Sequence, residues 1–240
     1  MGSREVYAHE LRHLGAAQWL GYLGERSGLP GPRGNIELAQ AVADVGVPAF
    51  FDRLIETDDE YLVFCGVVGL GRELAEDADT DEARAEAEHR LRRHATDVRW
   101  RVREAVAMAL QRLGDADLAR LLDVVRRWAD DDDPLVLRAA AAAICEPRLL
   151  REPAAAAAAV AVCEQATRAL VAVPADRRQD PDVRTLRQGL GYCWSVAVAA
   201  DPAEGLPRFR ALSDGPFGSD PDVVWIVREN STKARLAALL

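Results

Sequence analysis

Residues 97–110 read DVRWRVREAVAMAL, and this segment carries the pattern from which the architecture follows. It opens on Asp97, a residue that favours a helix N-cap, and its apolar residues recur at the three- and four-residue spacing of an amphipathic helix. The pattern returns as DVVWIVREN at residues 222–230, with shorter echoes from Asp133 and Asp182 and a degenerate copy from Asp59. A capped helix that recurs in this way predicts an array of similar helical units.

The spacing of the copies suits a solenoid built from helix pairs. Equivalent positions fall at residues 65, 103, 138, 187 and 228, separated by 38, 35, 49 and 41 residues, and periods of roughly 20–50 residues indicate repeat architectures. We place the first helices of the pairs at 36–56, 81–94, 115–129, 153–172 and 203–213, the first of them bent near Gly46 and Pro48. We place the second helices at 60–75, 97–113, 133–145, 181–199 and 221–238.

An extra helix at residues 4–24 precedes the array. It ends before the glycine- and proline-rich loop at 28–34, and Asn35 is expected to cap the next helix. We interpret residues 1–34 as an N-terminal cap helix and loop that cover the apolar face of the first repeat. Residues 35–240 are then the repeat array, which we expect to be a single domain.

The alanine content agrees with closely stacked helices. Alanine supplies 43 of the 240 residues, whereas aromatic residues make up 6%, and this balance favours helices over strands. The runs Ala139–Ala143 and Ala154–Ala159 offer small side chains where helix axes approach each other. We expect Gly66, Gly69 and Gly71 to allow close packing in the helix that holds them.

Charge and cysteine content narrow the class of protein. The chain carries 30 basic and 39 acidic residues, a net charge of −9, which disfavours a protein whose main role is to coat phosphate backbones. Cys65, Cys145, Cys163 and Cys193 form no C-x-x-C pair and lie among apolar neighbours, so we expect reduced core thiols. No secretory signal is visible, and the longest apolar run is about half a bilayer span. We therefore expect a bacterial cytoplasmic protein that binds no membrane and no cofactor.

The recurring Asp…Val-Arg…Ala…Ala-Leu pattern resembles HEAT repeats over roughly residues 36–240. The resemblance implies a curved scaffold for protein contacts, with a ladder of aspartates and arginines that joins the second helices of neighbouring repeats. The pairs that match this ladder are Asp97/Arg103, Asp133/Arg138, Asp182/Arg187 and Asp222/Arg228. Cys65 replaces the arginine in the first repeat, so the ladder is expected to lapse there.

One motif indicates a metal. His9-Glu10-Leu-Arg-His13 matches H-E-x-x-H, which on a helix places both imidazoles on one face, where they can hold Zn²⁺ while the glutamate polarises a water. Arg12 puts a positive charge between the ligands, and the segment before His9 is too short for the substrate-binding sheet of such metalloproteases. We therefore expect a solvated cap helix and no metal, with His9 and His13 kept as the candidate ligands.

A nucleic-acid interface is the alternative function. The DNA-alkylation-repeat glycosylases are also HEAT-like, and they use a basic groove with aromatic contacts to the DNA backbone. Arginines at the helix starts accompany Trp100, Trp128 and Trp225 in this chain. The net charge and the acidic block Asp130–Asp133 disfavour this function, and the positions equivalent to Trp100 are mostly apolar, as expected for packing between helices.

Together these patterns predict an all-α, right-handed solenoid of about five HEAT-like helix pairs behind an N-terminal cap helix. We expect a non-catalytic scaffold or adaptor whose second helices line a concave face for a partner protein or peptide. A DNA-binding protein or glycosylase is the alternative. The residues expected to contact the partner are Arg99, Trp100, Arg101 and Trp225.

Overall fold

The computed structural model describes residues 2–76 and 80–240, and the regular elements in these ranges are α-helices and two short 3₁₀ turns, without a β-strand. The first helices along the chain are α1 (Ser3–His13), α2 (Ala16–Glu25), α3 (Ile36–Val45), α4 (Pro48–Ile55), α5 (Glu60–Glu76), α6 (Asp81–Ala95) and α7 (Trp100–Ala116). The others are α8 (Leu118–Ala129), α9 (Pro134–Ile144), α10 (Pro153–Ala172), α11 (Pro181–Ala200), α12 (Pro202–Asp214), α13 (Pro221–Ser231) and α14 (Ala234–Ala237). The predicted all-α class and the repeat-like succession of helices are confirmed.

Contacts divide the chain into two compact units. The first unit ends at Ala116 and the second spans Asp117–Leu240, so the first holds α1 to α7 and the second holds α8 to α14. The organisation expected from the sequence, with a cap at residues 1–34 and a single-domain array at 35–240, stays a prediction.

The helix α5 is the centre of the first unit. The helices α3, α4 and α7 pack around it, and all its residues from Tyr61 to Gly71 are buried. A Cβ atom at Gly69 would lie 2.3 Å from the Phe51 ring on α4, and one at Gly71 would lie 2.3 Å from the backbone carbonyl oxygen of Ala109 on α7. Because real Cβ contacts essentially never fall below 3.0 Å, glycine is required at both positions, and the predicted close packing is confirmed.

The second unit has two layers of helices. The first helices of its pairs, α8, α10 and α12, pack in chain order in one layer. The second helices, α9, α11 and α13, pack in chain order in the other, which we call the second-helix layer. On α9 and α10, which pack against each other, the side chains of Ala139, Ala140, Ala143, Ala155 and Ala159 are fully buried. The predicted use of alanine at close helix contacts is confirmed.

Three predicted helices are interrupted. The predicted helix 4–24 is in fact α1 and α2, because the backbone is extended at Leu14 and Gly15. The bend predicted in the helix 36–56 is a complete break between α3 and α4. The predicted helix 221–238 ends at Ser231, and the short α14 follows it.

Two of the predicted aspartate caps are confirmed. Asp133 caps α9 by accepting a hydrogen bond of 2.8 Å from the backbone N–H of Leu135. Asp59 caps α5 by accepting hydrogen bonds of 2.8 and 2.9 Å from the backbone N–H groups of Tyr61 and Leu62. A carboxylate at the N-cap satisfies backbone donors that have no partner within the helix. Asp97 instead accepts one of 2.8 Å from the backbone N–H of Arg99, which precedes the first residue of α7, Trp100, so Asp97 is not the N-cap of that helix.

Two other predicted caps are wrong. Asp182 and Asp222 lie inside the first turns of α11 and α13, whose N-cap residues are Asp180 and Asp220. The carboxylate of Asp220 accepts hydrogen bonds from two backbone N–H groups of α13. Because Asp220 caps α13, the carboxylate of Asp222 remains available to bind arginines.

Of the described helices, α10 alone is long and apolar enough, by length and composition, to cross a membrane. Within its most apolar window, 56% of the residues are buried inside the protein. It packs against α8, α9, α11 and α12, so its apolar residues form the core of the second unit.

Candidate functional site

One rung of the predicted Asp–Arg ladder is present in the second unit. Arg187 on α11 donates to Asp222 on α13 at an N–O distance of 2.9 Å. Arg178, in the loop before α11, also donates to Asp222 at 2.9 Å. The Asp222 side chain is only 9% exposed, so a nearly buried carboxylate between two guanidinium groups links α11, its preceding loop and α13.

The other signature arginines make different contacts. Arg103 donates to the backbone carbonyls of Asp97 and Val98, at 2.6 and 3.1 Å, and so supports the start of its own helix. Arg228 pairs with its neighbour Glu229 at 3.3 Å. The ladder at the remaining positions stays a prediction.

The predicted contact residues of the first unit lie at the start of α7. Trp100 is 50% exposed, and the guanidinium carbon of Arg101 lies 4.8 Å from the centroid of its ring. Arg101 also donates to Glu60 at 2.9 Å, and Arg99 binds Asp97 through two hydrogen bonds of 2.8 and 2.9 Å. The side-chain hydrogen bonds from Arg99 hold the pKa of Asp97 below its usual value. Both arginines are therefore neutralised by acids of the same unit.

A surface of the second unit combines arginines with aromatic and apolar side chains. On α11, the exposed residues Arg184, Gln188 and Tyr192 follow each other at intervals of four and so lie on one side of the helix. On α13, Val224 is 50% exposed and Trp225 is half-buried. We call this surface the Arg–aromatic face, and its members are Arg138, Arg184, Arg187, Gln188, Tyr192, Val224, Trp225, Arg228 and Arg235.

Contacts between α9, α11 and α13 make this face continuous. A Cβ atom at Gly189 on α11 would lie 3.1 Å from Cγ of Arg138, so the Arg138 side chain lies against α11. Trp225 covers Gly191, where a Cβ atom would lie 2.7 Å from its ring. The guanidinium carbon of Arg187 lies 4.7 Å from the centroid of the same ring. Trp225 therefore packs α13 on α11 and also contributes to the face.

Two arginines of the Arg–aromatic face lack an acidic partner. Arg184 is exposed, and its side chain makes no ion pair or hydrogen bond with the residues that the structure describes. Arg235 on α14 donates to the Tyr192 hydroxyl at 3.2 Å and lies 4.9 Å from the centroid of its ring. No carboxylate in the described ranges pairs with Arg235. The charge of both groups is thus available to a ligand.

Sequence reasoning found only part of this face. It identified Arg138, Arg187, Trp225 and Arg228 from the repeat signature but did not select Arg184 or Tyr192. The four-residue spacing of Arg184, Gln188 and Tyr192 within a predicted helix was a usable signal. The contact between Tyr192 and Arg235 joins residues 43 positions apart, and no sequence pattern announces it.

A pocket of about 260 Å³ opens where α11 ends. It is lined by Pro147, Leu150, Arg151, Val196, Ala199, Ala200 and Arg235. Val196 and Ala200 continue the four-residue row of Tyr192 along α11, and Arg235 belongs to both the pocket and the Arg–aromatic face. The exposed Arg151 makes no ion pair or hydrogen bond within residues 2–76 and 80–240. We call this cavity the α11-end pocket.

A larger recess of about 410 Å³ lies between α8 and α10. Its Glu164 accepts from Arg168 at 2.5 Å and from Arg208 at 2.8 Å. Its Gln165 donates to Asp130 at 3.0 Å. The Glu164 and Gln165 side chains in this recess therefore already have hydrogen-bond partners within the protein.

The candidate metal ligands His9 and His13 lie on an exposed side of α1. Their ring centroids are 4.4 Å apart, and Nδ1 of His13 donates to the backbone carbonyl of His9 at 2.8 Å. The carboxylate of Glu10 accepts a hydrogen bond from the Tyr22 hydroxyl. Across the described ranges, no group of three or more His, Cys, Asp or Glu side chains is arranged to hold a metal ion.

All four cysteines are buried and form no disulfide, which confirms the predicted core thiols. Burial raises the pKa of the Cys65 thiol, which disfavours the reactive thiolate. The Sγ atoms of Cys145 and Cys163 lie 3.7 Å apart, a contact that the sequence did not suggest.

No known protein family and no curated protein matches this chain. Among solved structures, an engineered protein is 17% identical over 100% of this chain and 98% of its own, with a TM-score of 0.38. A second engineered protein is 16% identical over 96% and 97%, with a TM-score of 0.36. A designed armadillo repeat protein in complex with the peptide (KR)4 is 12% identical over 100% of both chains, with a TM-score of 0.38. These similarities are too distant to define a family, and the repeat organisation rests on the chain's own helices.

Proposed function

We propose that this chain is a non-catalytic scaffold of the HEAT type that binds a partner protein or peptide on the Arg–aromatic face. The observation that carries the proposal is the combination, on one continuous surface, of unneutralised arginines with exposed aromatic and apolar side chains. Arg184 and Arg235 supply the charge, and Tyr192 and Val224, 47% and 50% exposed, supply apolar contact area. Tyrosine, tryptophan and arginine are the residues that dominate binding energy in protein interfaces.

A protein partner fits this face better than a nucleic acid does. Arg187 and Arg228 already hold the carboxylates of Asp222 and Glu229, so few cations of this face remain for the several phosphate contacts on which nucleic-acid binding depends. Val224 gives apolar contact area to a peptide side chain but nothing to a phosphate. The net charge of −9 acts in the same direction.

The start of α7 offers a weaker surface for such a partner. Val98 and Trp100 are 92% and 50% exposed, so they offer apolar area. Arg99 and Arg101, however, are already paired with Asp97 and with another acid of the unit. We expect Trp100 to contribute less to binding than Tyr192 and Trp225 do.

A selection experiment tests this function without assuming a partner sequence. The immobilised full chain is used to select from a phage-displayed library of random dodecapeptides. We expect enrichment of acidic peptides that also carry apolar residues, because the free charges of the face are positive. The double variant Arg184→Glu/Arg228→Glu should weaken the binding of the selected peptides by at least about tenfold, since interface arginines commonly contribute this much.

The matched control is Arg210→Glu. Arg210 is exposed on α12, in the other helix layer of the same unit, and its replacement makes the same change of charge as each of the two substitutions in the double variant. Binding should survive in this variant. An absence of enriched peptides, or equal losses in the control and the double variant, contradicts the proposal. If the parent protein shifts duplex DNA in a gel at about 100 mM salt and the double variant does not, the ligand of the Arg–aromatic face is a nucleic acid rather than a peptide.

A further inference from the structure

The α11-end pocket combines an apolar lining with two arginines, Arg151 and Arg235. We infer that it receives the C-terminal residue of the peptide, an apolar side chain together with its free carboxylate. This inference rests on the proposed function and adds to it the direction and the end group of the bound segment.

The floor of the pocket is apolar. Leu150 and Val196 are 7% and 4% exposed, and Ala199, Ala200 and Pro147 complete the apolar wall. The volume of about 260 Å³ is that of roughly nine water molecules at ~30 Å³ each. This space suits one large apolar side chain with the carboxylate attached to its backbone, and it is too small for a folded element.

The rim of the pocket is cationic. Arg151 and Arg235 both line it, and neither has a carboxylate partner in the part of the chain that the structure describes. Guanidinium groups bind carboxylates through paired hydrogen bonds, and such charge-assisted bonds are the stronger kind. A terminal carboxylate beside an apolar side chain therefore matches both the rim and the floor.

A competing role for the two arginines is to offset the partial negative charge at the C-terminus of α11. That role requires no ligand. It also predicts no difference between a peptide that ends in a carboxylate and one that ends in a neutral amide, so the two accounts can be separated.

The row of side chains on α11 sets the length of the bound segment. From Arg184 through Tyr192 to Ala200 the row extends about 24 Å at 1.5 Å per residue. An extended peptide covers this distance in about seven residues at roughly 3.3 Å each. Acidic residues of the peptide then meet Arg184 while the C-terminal residue reaches the pocket.

The test uses the octapeptide GDESDEDL, labelled with fluorescein at its N-terminus, and the full chain. Fluorescence anisotropy compares this peptide with the same sequence ending in a carboxamide and with one in which glycine replaces the last leucine. We expect the free acid with leucine to bind at least about tenfold more tightly than either relative, as is common when one buried anchor is lost. Arg151→Ala should abolish the preference for the free acid, and Arg210→Ala should preserve it.

Each alternative result is decisive. Equal affinities for the free acid and the carboxamide overturn the inference, and so does an absence of binding by the octapeptide. Neither result touches the proposed function, which the library selection tests independently. Because Arg151 is exposed, Arg151→Ala should unfold at the same temperature as the parent, and a thermal melt verifies that its effect on binding is local.

Discussion

The start of α7 in the first unit and the Arg–aromatic face of the second unit share a sequence signature but differ in how their charges are matched. At α7, Arg99 and Arg101 are held by acids of their own unit. On the Arg–aromatic face, Arg184 and Arg235 have no carboxylate partner among the described residues. The signature therefore accounts for packing in both units, and whether an arginine keeps a charge that a ligand can use depends on the acids that the tertiary structure places beside it.

The tryptophans at equivalent signature positions show the same contrast. Trp100 stands 50% exposed at the start of its helix. Trp225 lies on Gly191 of the neighbouring helix and under the guanidinium of Arg187. A glycine in the adjacent helix is what lets the second tryptophan pack between helices, so the local pattern alone does not fix its role.

The largest expected effect comes from removing the carboxylates of the two signature aspartates in turn. Asp222→Ala should lower the free energy of unfolding by about 3 kcal/mol, because it leaves the partly buried guanidinium of Arg187 without its anion. It also removes one of the two carboxylates that bind Arg178, which keeps Asp220. Asp97→Ala should lower the free energy of unfolding by only about 1 kcal/mol, because it removes hydrogen bonds from the backbone N–H and the partly exposed guanidinium of Arg99. Urea denaturation of both variants measures the difference, and equal losses would contradict the assigned roles.

Alanine substitutions of two glycines should affect stability differently, because Gly71 faces the backbone of α7 and Gly189 faces only the side chain of Arg138. Gly71→Ala should destabilise the protein by about 2 kcal/mol, because the new Cβ would lie 2.3 Å from a backbone oxygen of α7, which cannot yield locally. Gly189→Ala meets only the flexible Arg138 side chain at 3.1 Å, so the higher helix propensity of alanine should leave stability unchanged or raised by up to about 0.5 kcal/mol. Thermal unfolding compares them, and a neutral Gly71→Ala would show that the α5–α7 contact is looser than described.

The pH dependence of stability should reveal the pairing at α7. Arg99 lowers the pKa of Asp97 in the folded state, so the stabilisation is present above the unfolded pKa of about 3.9. This stabilisation is lost as the pH falls through the lower pKa that Asp97 has in the folded protein. Asp97→Asn should therefore reduce the decline of the unfolding free energy below about pH 4. A decline as steep as that of the parent protein would refute the pairing.

Thiol reagents are not expected to modify any cysteine of the native protein. Cys65 in the first unit and the three cysteines of the second unit are buried, and thiolates rather than thiols react. Iodoacetamide at about pH 8 should leave the native chain unlabelled and modify every cysteine in denaturant. Mass spectrometry of peptides measures each site, and labelling of Cys65 in the native chain would show that the first unit opens locally.

The sequence predicted local features of the fold well when their signals were local. The interruption near Gly46 and Pro48 follows from residues that do not continue a helix. The break at Leu14 and Gly15 was missed because apolar spacing continues on both sides of it. Asp220 and Asp222 flank Pro221, and either suits an N-cap, so only the packed structure shows which one caps α13.

Only those residues of the candidate site that belong to the repeat signature could be predicted from the sequence. Arg187 and its contact with Asp222 follow from the resemblance to HEAT repeats, although the two residues lie 35 positions apart. The contact of Arg235 with Tyr192 and that of Cys145 with Cys163 depend on how the helices pack. Such contacts follow from tertiary structure and leave no periodic trace in the sequence.

Hydroxyl-radical footprinting, with and without a peptide selected from the library, tests the central claim most directly. It reads the side-chain exposure of Tyr192, Trp225 and Trp100 in the same sample. The account predicts that the peptide protects Tyr192 and Trp225 from oxidation more than it protects Trp100. Protection of Trp100, with Tyr192 and Trp225 oxidised as in the free protein, would contradict it.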